Sequence, residues 1–379
     1  MERKYDILLF GATGFTGQLI AAYLSDRANM EGVSWAIAGR SPNKLEQVRA
    51  ALKGKLPEVV VADVENEDSL KAMAAQAHIV MNAVGPFNWY GKGVVKACVE
   101  QGTHYLDITG EPSFVADIFQ TFGKEAEENK VCIVNCCGFD SIPADYAAWL
   151  TAKQLPVGEA KALRGYIRTN ASFSGGTFTT AIYALYMETQ QRSIKVKLPR
   201  HPDTPRIPLK IHYNNELKAW AIPMPVVDPH IVKRSAYRLS SEYGEAVAYG
   251  QFFLRSSFWK VVKTVVPVVI TMLFVRFKFF REWLFRQAPP GTGPDEEMRS
   301  RSRFEVTCIG ESDGSKARTV ISGGDPGYNE TAKMFSEAAF TILERSKALT
   351  LPFGVLTPVE AFGQNLKERL QRAGIFFSN

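Results

Sequence analysis

Apolar and amphipathic segments alternate along the first 150 residues. Short apolar runs predict buried strands, and the stretches between them have the residue spacing of helices. The predicted strands are residues 5–10, 34–38, 59–61, 79–83, 105–108 and 132–135, and the first two helices are residues 15–27 and 42–52. Regular alternation of strand and helix is typical of an α/β fold with a doubly wound parallel sheet. We therefore predict an N-terminal Rossmann domain over residues 1–150.

The pattern changes beyond residue 150. Longer segments with strand-like alternation, residues 161–169, 303–309 and 317–322, predict an α+β region over residues 151–325. We expect this inserted region to bind the substrate or to mediate dimerisation. Two further helices, residues 328–347 and 357–373, form a C-terminal region over residues 326–379, and Pro358 opens the second of them.

A glycine-rich loop joins the first predicted strand to the first helix. Its spacing, GxxGxxG, is one residue longer than the commonest dinucleotide-binding pattern. Glycines at such a junction allow a tight turn and a close approach of the backbone to a pyrophosphate, which the helix N-terminus stabilises. The strand–loop–helix context favours a dinucleotide site over a plain glycine turn. The residues predicted to bind the cofactor here are Gly11, Thr13, Gly14, Phe15, Thr16 and Gly17.

The end of the second predicted strand indicates which dinucleotide binds. An NAD site places Asp or Glu there to accept hydrogen bonds from the ribose hydroxyls, whereas this chain has Arg40 and Ser41. Because a guanidinium binds a 2′-phosphate and a neighbouring hydroxyl donates to it, we predict that NADP(H) is preferred over NAD(H). The alternative is that Arg40 is a solvated surface residue. Asp63, after the third strand, is predicted either to face the adenine or to cap a helix.

The fourth predicted strand ends in a run of small residues. Asn82 is followed closely by Gly85 and Pro86. Small side chains at this position let the backbone pass close to a nicotinamide ribose, and the alternative is an ordinary turn. We predict that these three residues also bind the cofactor.

Composition and charge exclude several classes of protein. A net charge of +6 over 379 residues is too small to indicate nucleic-acid binding. The chain has five cysteines, an odd number, and no CxxC pair. This argues for buried free thiols rather than a disulfide framework or a metal site. The apolar run near the N-terminus, residues 7–10, is too short for a signal peptide. We therefore expect an intracellular protein that is cytoplasmic or peripherally associated with a membrane or lipid.

Residues 252–286 form a segment that is dense in Phe, Trp and Val. Seven Lys or Arg lie between Arg255 and Arg286, against one acid, Glu282. The uncharged centre, residues 264–275, is about 18 Å long as a helix, which is short of the roughly 30 Å hydrocarbon core of a bilayer. The pattern favours a helix on a membrane or lipid surface, with its cations toward anionic headgroups. The alternative is a buried helix of the second region or of a homodimer interface.

Motifs along almost the whole chain resemble those of the saccharopine dehydrogenase-like oxidoreductases. That family includes the trans-acting enoyl reductases of mycobacterial lipid synthesis. The matching stretches are the glycine loop and residues 38–41, 82–87, 102–107, 138–145, 174–177, 324–328 and 354–358. The resemblance implies a Rossmann domain interrupted by a substrate domain, C-terminal helices that return to the Rossmann part, and NAD(P) chemistry. It does not imply saccharopine as the substrate.

The residues for proton transfer are those that follow the later strands. The chain lacks the Tyr-x-x-x-Lys dyad with which short-chain dehydrogenases protonate a substrate oxygen. In a doubly wound sheet the ligand lies beyond the carboxyl ends of the strands. Asp107, Asp140 and Ser141 are therefore the catalytic candidates, and each is equally consistent with a turn or a cap.

A second motif suggests a substrate contact. Ser174, Gly175, Gly176 and Thr177 precede a predicted helix, whose free N-terminal amides are candidates to hold a carbonyl or carboxylate. The alternative is a plain helix cap at Ser174.

Three functional hypotheses remain open at this point. The first is an NADP(H)-dependent oxidoreductase that transfers hydride to or from a hydrophobic, lipid-like carbonyl or enoyl substrate. The second is a redox sensor that binds NADP(H) without turnover, which the missing Tyr/Lys dyad allows. The third is a lipid-surface scaffold that retains a vestigial cofactor site.

Overall fold

The computed structural model describes residues 3–171, 182, 185–186, 198–287 and 293–379. The chain forms two compact units. The first comprises Met1–Thr109, Ser113–Phe139 and Gly327–Ala373, and the second comprises Gly110–Pro112, Asp140–Pro326 and Gly374–Asn379.

Strands and helices alternate along the chain as far as β7, and their order is mixed beyond it. The strands are β1 (Tyr5–Phe10), β2 (Trp35–Gly39), β3 (Glu58–Val61), β4 (Ala77–Asn82), β5 (His104–Asp107), β6 (Cys132–Val134), β7 (Lys161–Thr169), β8 (His212–Asn214), β9 (Ala219–Pro223), β10 (Val247–Arg255), β11 (Phe304–Ser312), β12 (Ser315–Gly323), β13 (Gly354–Leu356) and β14 (Phe376–Ser378). The described helices are α1 (Phe15–Glu31), α2 (Pro42–Ala51), α3 (Glu67–Ala74), α4 (Phe87–Glu100), α5 (Pro112–Glu128), α6 (Ile142–Lys153), α7 (Asp228–Arg238), α8 (Ser240–Tyr243), α9 (Phe258–Phe274), α10 (Lys278–Gln287), α11 (Glu296–Arg301), α12 (Asn329–Lys347) and α13 (Pro358–Arg372).

A seven-stranded sheet in the order β13-β6-β5-β4-β1-β2-β3 forms the core of the first unit. All of its neighbouring strands are parallel. Its interior strand β1 is apolar on both sides, with Ile7, Leu8 and Leu9 fully buried, as expected for a sheet that helices cover on both faces. The doubly wound α/β fold and its six predicted strands are confirmed, with strand ends within two residues of the predicted ones.

The strand order fixes where a ligand would bind. From β1 the chain continues to β2 on one side, and β4 lies on the other side of β1. The direction of winding therefore reverses between β1 and β4. In open parallel sheets this reversal opens a crevice beyond the carboxyl ends of the two strands.

A buried carboxylate joins the C-terminal helices to the start of the first unit. Glu337 on α12 is fully buried and accepts hydrogen bonds from Tyr23 Oη at 2.7 Å, Arg27 Nε at 3.1 Å and Arg369 Nε at 2.8 Å. The donors come from α1 and α13. One carboxylate thus stabilises the packing of three helices that are far apart in sequence.

The second unit contains a mixed sheet in the order β14-β12-β11-β7-β10-β9-β8. Strands β7 and β10 are parallel, and the other neighbours are antiparallel. Helix α6 packs on β7, β11 and β12. This packing places the boundary between the units at Phe139 rather than at the predicted residue 150, because α6 buries its apolar side chains against the second sheet.

The apolar segment predicted over residues 252–286 divides into three parts. Residues 252–255 are the end of strand β10, where Phe252 is buried in the sheet, so the predicted segment begins too early. Helices α9 and α10 form the remainder. Among the described helices, none is long and apolar enough to cross a membrane.

Candidate cofactor-binding site

The three glycines of the loop after β1 have different structural roles. Gly11 has a φ of +92°, and a Cβ there would lie 2.8 Å from Val84 Cγ2. A Cβ at Gly17 would lie 2.1 Å from the Gly11 carbonyl oxygen, so neither position tolerates a side chain without rearrangement. Gly14 is exposed and has ordinary backbone angles, and its Cβ would meet nothing nearer than Gly11 O at 3.4 Å. The fold therefore requires glycine at the first and last positions, whereas only a closely bound group would require it at Gly14.

The N-terminus of α1 is arranged to accept an anion. Gly14 is its N-cap and provides no side-chain cap, and the first turn contains no acidic residue. The amides of the first turn lack helical acceptors, and the helix dipole favours negative charge there. The partly exposed hydroxyls of Thr13 and Thr16 hydrogen-bond to no described residue. Phe15 packs its ring edge-on against Tyr328, with 5.1 Å between ring centroids, which holds the loop against the start of α12.

Backbone hydrogen bonds connect the end of β2 to the glycine-rich loop and to the residue after β3. The Gly11 amide donates to Ala38 O at 2.9 Å, and the Ala62 amide donates to Gly39 O at 3.0 Å. Arg40 follows directly, is exposed, and forms no hydrogen bond or ion pair with any described residue. Ser41 is the N-cap of α2, but its hydroxyl does not cap the helix, and the first turn of α2 contains no acid.

These residues fit a 2′-phosphate. A guanidinium, a hydroxyl and a helix N-terminus lie together in sequence beside the loop that would hold the pyrophosphate, and all three favour an anion. Asp63 points to a different role. Its Oδ1 accepts from the Glu65 amide at 3.1 Å, while Asn66 caps α3 by accepting from the Ser69 amide. The helix-cap alternative for Asp63 is therefore wrong, and the residue stabilises the turn after β3.

A buried polar chain begins at the end of β4. Asn82 is fully buried, accepts from the Val84 amide at 3.0 Å and donates through Nδ2 to Tyr105 Oη at 3.0 Å. These bonds fix the backbone just before Gly85, which is exposed, and Pro86, which precedes α4. The peptide between Gly85 and Pro86 is cis. Asn82 thus positions the loop predicted to face the nicotinamide rather than contacting it.

Asp107 continues this chain at the end of β5. Its carboxylate accepts from the Thr109 amide at 3.1 Å, the Cys136 amide at 3.0 Å and Asn135 Nδ2 at 2.6 Å. Burial raises the pKa of this carboxyl to about 6, while the hydrogen bonds, including one from Tyr105, oppose the rise. Cys136 has a φ of +61°, so the carboxylate stabilises a strained backbone position after β6. These contacts favour the turn-positioning alternative for Asp107 over a catalytic role.

The other two catalytic candidates belong to the second unit. Asp140 retains solvent exposure, but desolvation raises the pKa of its carboxyl to about 6, and this carboxylate forms no hydrogen bond or ion pair with the described residues. Ser141 is buried, donates to Asp140 O at 2.7 Å and lies 3.5 Å from Asp228 Oδ1. Ser141 therefore orders the start of α6. The predicted substrate residues Ser174, Gly175, Gly176 and Thr177 lie outside the described residues.

Sequence reasoning missed two members of this site, Tyr105 and Asn135. Asn82, Asp107 and Asn135 are polar residues at or just after the carboxyl ends of three successive parallel strands, and that repetition was the available signal. His104 is at the opposite, amino end of β5, where its Nδ1 accepts from the Cys132 amide at 3.1 Å and burial lowers its pKa to about 4. All five cysteines are buried free thiols, as predicted.

Comparison with known proteins agrees with this geometry. Residues 7–134 match the family described as the saccharopine dehydrogenase NADP binding domain. A saccharopine dehydrogenase-like oxidoreductase of Rattus norvegicus is 32% identical, with 100% of this chain and 97% of the relative covered. A Caenorhabditis elegans protein named lipid droplet localized protein is 31% identical, with 96% and 95% covered. A Mycobacterium tuberculosis protein named as a trans-acting enoyl reductase is 32% identical, with 98% and 97% covered.

A solved structure supports the fold alone. The saccharopine dehydrogenase (L-Glu forming) of Saccharomyces cerevisiae is 13% identical, with a TM-score of 0.56 and 99% of both chains covered. The sequence relatives carry the assignment, since they align over nearly their full length above 30% identity. The chain therefore belongs to the saccharopine dehydrogenase-like oxidoreductase family, and its first unit carries that family's NADP-binding domain.

Proposed function

We propose that the chain is an NADP(H)-dependent oxidoreductase that transfers hydride to or from a hydrophobic, lipid-like carbonyl or enoyl substrate. The preference for NADP(H) is inferred from Arg40 and Ser41, which follow β2 and whose side chains donate no hydrogen bond to a described residue. An acid at that position would repel a 2′-phosphate, and the chain has none there.

The cofactor would lie along the carboxyl edge of the first sheet. The amides at the start of α1 would hold its pyrophosphate, and Arg40 and Ser41 would hold the 2′-phosphate. The loop at Gly85, which Asn82 positions, would lie beside the nicotinamide, which supplies or accepts the hydride when bound. Gly14 would allow the backbone to approach the phosphates closely.

Two kinds of support favour a lipid-like substrate. One relative is named as a trans-acting enoyl reductase and another as a lipid droplet localized protein. In this chain, helices α9 and α10 expose a dense group of large apolar side chains, so an apolar substrate and a peripheral location on lipid are mutually consistent.

Asp140 would be the residue that transfers a proton to or from the substrate. Asp107 already accepts hydrogen bonds from three or more donors. The Asp140 carboxylate accepts no hydrogen bond from a described residue, and desolvation raises its pKa to about 6, which favours a proton donor near neutral pH. A general acid must be able to reach the reacting atom. Ser141 would order the backbone that carries Asp140.

The second candidate is a redox sensor that binds NADP(H) without turnover. The commitment of Asp107 to structural hydrogen bonds favours it, because this removes one of the acids expected at the site. A lipid-surface scaffold with a vestigial cofactor site is a weaker alternative, since Gly14 and Arg40 retain the features of a working site.

These functions are separated by an assay of NADPH oxidation. The protein is incubated with NADPH and a panel of long-chain enoyl and ketone substrates, and the loss of NADPH absorbance is measured. The proposal predicts substrate-dependent NADPH oxidation that Asp140→Asn reduces at least tenfold without changing NADPH affinity. Gly14→Val is the control that removes the cofactor itself. Tight NADPH binding with no oxidation across the panel would instead support the sensor.

A further inference from the structure

Helices α9 and α10 expose an unusual concentration of apolar surface. We call residues 258–287 the α9–α10 segment. Twelve of its large apolar side chains are exposed: Phe258, Trp259, Val266, Val268, Val269, Ile270, Met272, Leu273, Phe274, Phe277, Phe279 and Trp283. Scattered apolar residues on a surface are normal, but a contiguous group of this size marks an interaction site.

The exposed apolar surface of α9 is wider than a single stripe. Val268, Val269 and Ile270 are consecutive, and each is between 44% and 47% exposed. Consecutive residues of a helix point about 100° apart, so exposed apolar side chains cover more than half of the circumference of α9. In α9 only Val261 is buried. One side of α9 contacts β9 and β10, and its remaining, largely apolar surface is typical of an amphipathic helix that lies in a membrane interface.

The charges of the α9–α10 segment point to phospholipid headgroups. Lys260 and Lys263 lie in the first turns of α9, and Arg276 and Lys278 follow its C-terminus. Glu282 is the one acid in the segment. Cations at both ends of a helix are best accommodated when the helix lies parallel to an anionic surface, since each end then reaches the headgroups.

The length of α9 excludes the alternative of a span. Its 17 residues correspond to about 25 Å, less than the roughly 30 Å core of a bilayer, and Pro267 lies within it. A helix of this kind can enter one leaflet without crossing it.

Buried contacts fix the segment to its own unit. Val275 and Leu284 pack with Ile182 in a small apolar cluster. Arg281 donates to Val275 O at 2.9 Å and to Arg276 O at 3.0 Å, which caps the end of α9. The connection between the two helices is therefore a built structure and not a loose loop.

We propose that the α9–α10 segment inserts into one leaflet of a lipid surface that carries anionic headgroups, with α9 parallel to that surface. The insertion does not depend on cofactor or turnover. The occupant of the apolar surface is lipid, and association with a second copy of the chain is the competing outcome of the test.

Flotation of the purified full chain with phosphatidylcholine vesicles, with and without 30% phosphatidylserine, tests the proposal. The apolar variant carries Trp259→Gln, Leu273→Gln and Phe279→Gln, which are 75%, 60% and 69% exposed in the folded protein. The charge variant carries Lys260→Gln, Lys263→Gln, Arg276→Gln and Lys278→Gln. Arg281 is left intact because it caps α9. The matched control replaces three comparably exposed apolar residues elsewhere, Met30, Val157 and Leu349, by Gln.

Wild type and the control should float with anionic vesicles, and the apolar variant should bind at least tenfold more weakly at any salt concentration. The charge variant should lose the preference for anionic vesicles, as wild type should in high salt. Fluorescence of Trp259 and Trp283 should shift to the blue and be quenched by brominated acyl chains, which reports insertion rather than adsorption. All variants should keep wild-type NADPH affinity, which separates this test from that of the catalytic proposal.

Two results would overturn the proposal. One is wild-type protein that stays unbound with both kinds of vesicle. The other is a concentration-dependent dimer without lipid that the apolar variant abolishes, which would assign the surface to a second copy.

Discussion

The amide of Gly11 donates to the carbonyl of Ala38 at 2.9 Å. This bond connects the glycine-rich loop to the end of β2, two residues before Arg40. It therefore fixes the distance between the loop that would hold the pyrophosphate and the backbone that carries the guanidinium for the 2′-phosphate. Binding of NADP(H) then depends on local geometry that the parallel sheet imposes.

Arg40→Ala should weaken NADPH binding and leave NADH binding unchanged. A charge-assisted contact contributes about 1.5–3 kcal/mol, or roughly ten- to a hundredfold in affinity. Calorimetric titration of both cofactors measures the effect. Lys44→Ala is the matched control, since Lys44 is another exposed cation near the start of α2, and it should change neither affinity. Equal losses for the two cofactors in Arg40→Ala would show that Arg40 does not read the 2′-phosphate.

Gly17→Ala should destabilise the fold, unlike a substitution at Gly14. Its Cβ would lie 2.1 Å from Gly11 O, so the loop must shift, at a cost of about 1–3 kcal/mol or more. Urea unfolding without cofactor measures the loss. Gly14→Ala, whose Cβ meets only an ordinary 3.4 Å contact, should unfold at nearly the wild-type midpoint. Similar midpoints for the two variants would contradict the separate roles assigned to these glycines.

Asp107→Asn should reduce stability more than it affects chemistry. The amide cannot accept from all the donors that now face the carboxylate, and a buried unsatisfied donor costs about 1–3 kcal/mol. Chemical unfolding at pH 5, below the folded pKa of Asp107, measures the loss, with Asp68→Asn on the surface of α3 as the control. A variant of wild-type stability that has lost turnover would restore Asp107 as a catalytic residue.

Asp107 should also make the free energy of unfolding depend on pH. Its folded pKa, about 6, is above the ordinary value of 3.8, so the native state binds the proton more tightly than the unfolded state. The stability that this group contributes is therefore full below pH 4 and falls as pH rises to about 6, by up to about 3 kcal/mol. The difference in unfolding free energy between wild type and Asp107→Asn should follow this curve. A difference that is constant between pH 4 and 7 would show that the carboxyl pKa is not raised.

Glu337→Ala should be among the most destabilising single substitutions in the first unit. It leaves Arg369, which is 8% exposed, without its fully buried partner, and breaking a buried ion pair costs about 3–5 kcal/mol. Glu344→Ala is the matched control, because Glu344 is 50% exposed and only 3.5 Å from the same arginine, so its loss should be about 0–1 kcal/mol. Thermal unfolding compares the two. Equal losses would mean that the Glu337 network does not hold the helices together.

The strands of the first sheet could be predicted from the sequence because each is a short apolar run between turn-forming residues. Residues 5–10 coincide with β1, and the loop glycines stand where the parallel fold needs them. Strand β10 was missed because its last residues, Phe252 to Arg255, continue into an apolar helix, and a one-dimensional pattern does not separate the two. The boundary at Phe139 was missed because α6 is apolar nearly all round, and only packing shows which sheet it covers.

The candidate site divides in the same way. The positions of Arg40 and the loop glycines in the fold could be predicted, because each lies directly after one strand. The hydrogen bonds from Asn82 through Tyr105 to Asp107 could not, because they join three strands whose order is a property of the sheet. Asp107 consequently looked like an acid for catalysis, and its committed donors became visible only in three dimensions.

Calorimetric titration of NADPH and NADH into wild type and Gly14→Val tests whether the loop after β1 binds the cofactor phosphates. The fold does not require glycine at position 14, so a side chain there would obstruct only a bound dinucleotide. We expect wild type to bind NADPH roughly ten- to a hundredfold more tightly than NADH. Gly14→Val should keep the wild-type melting temperature without cofactor and bind neither nucleotide. A folded Gly14→Val protein that retains wild-type NADPH affinity would contradict the assignment of this loop as the phosphate site.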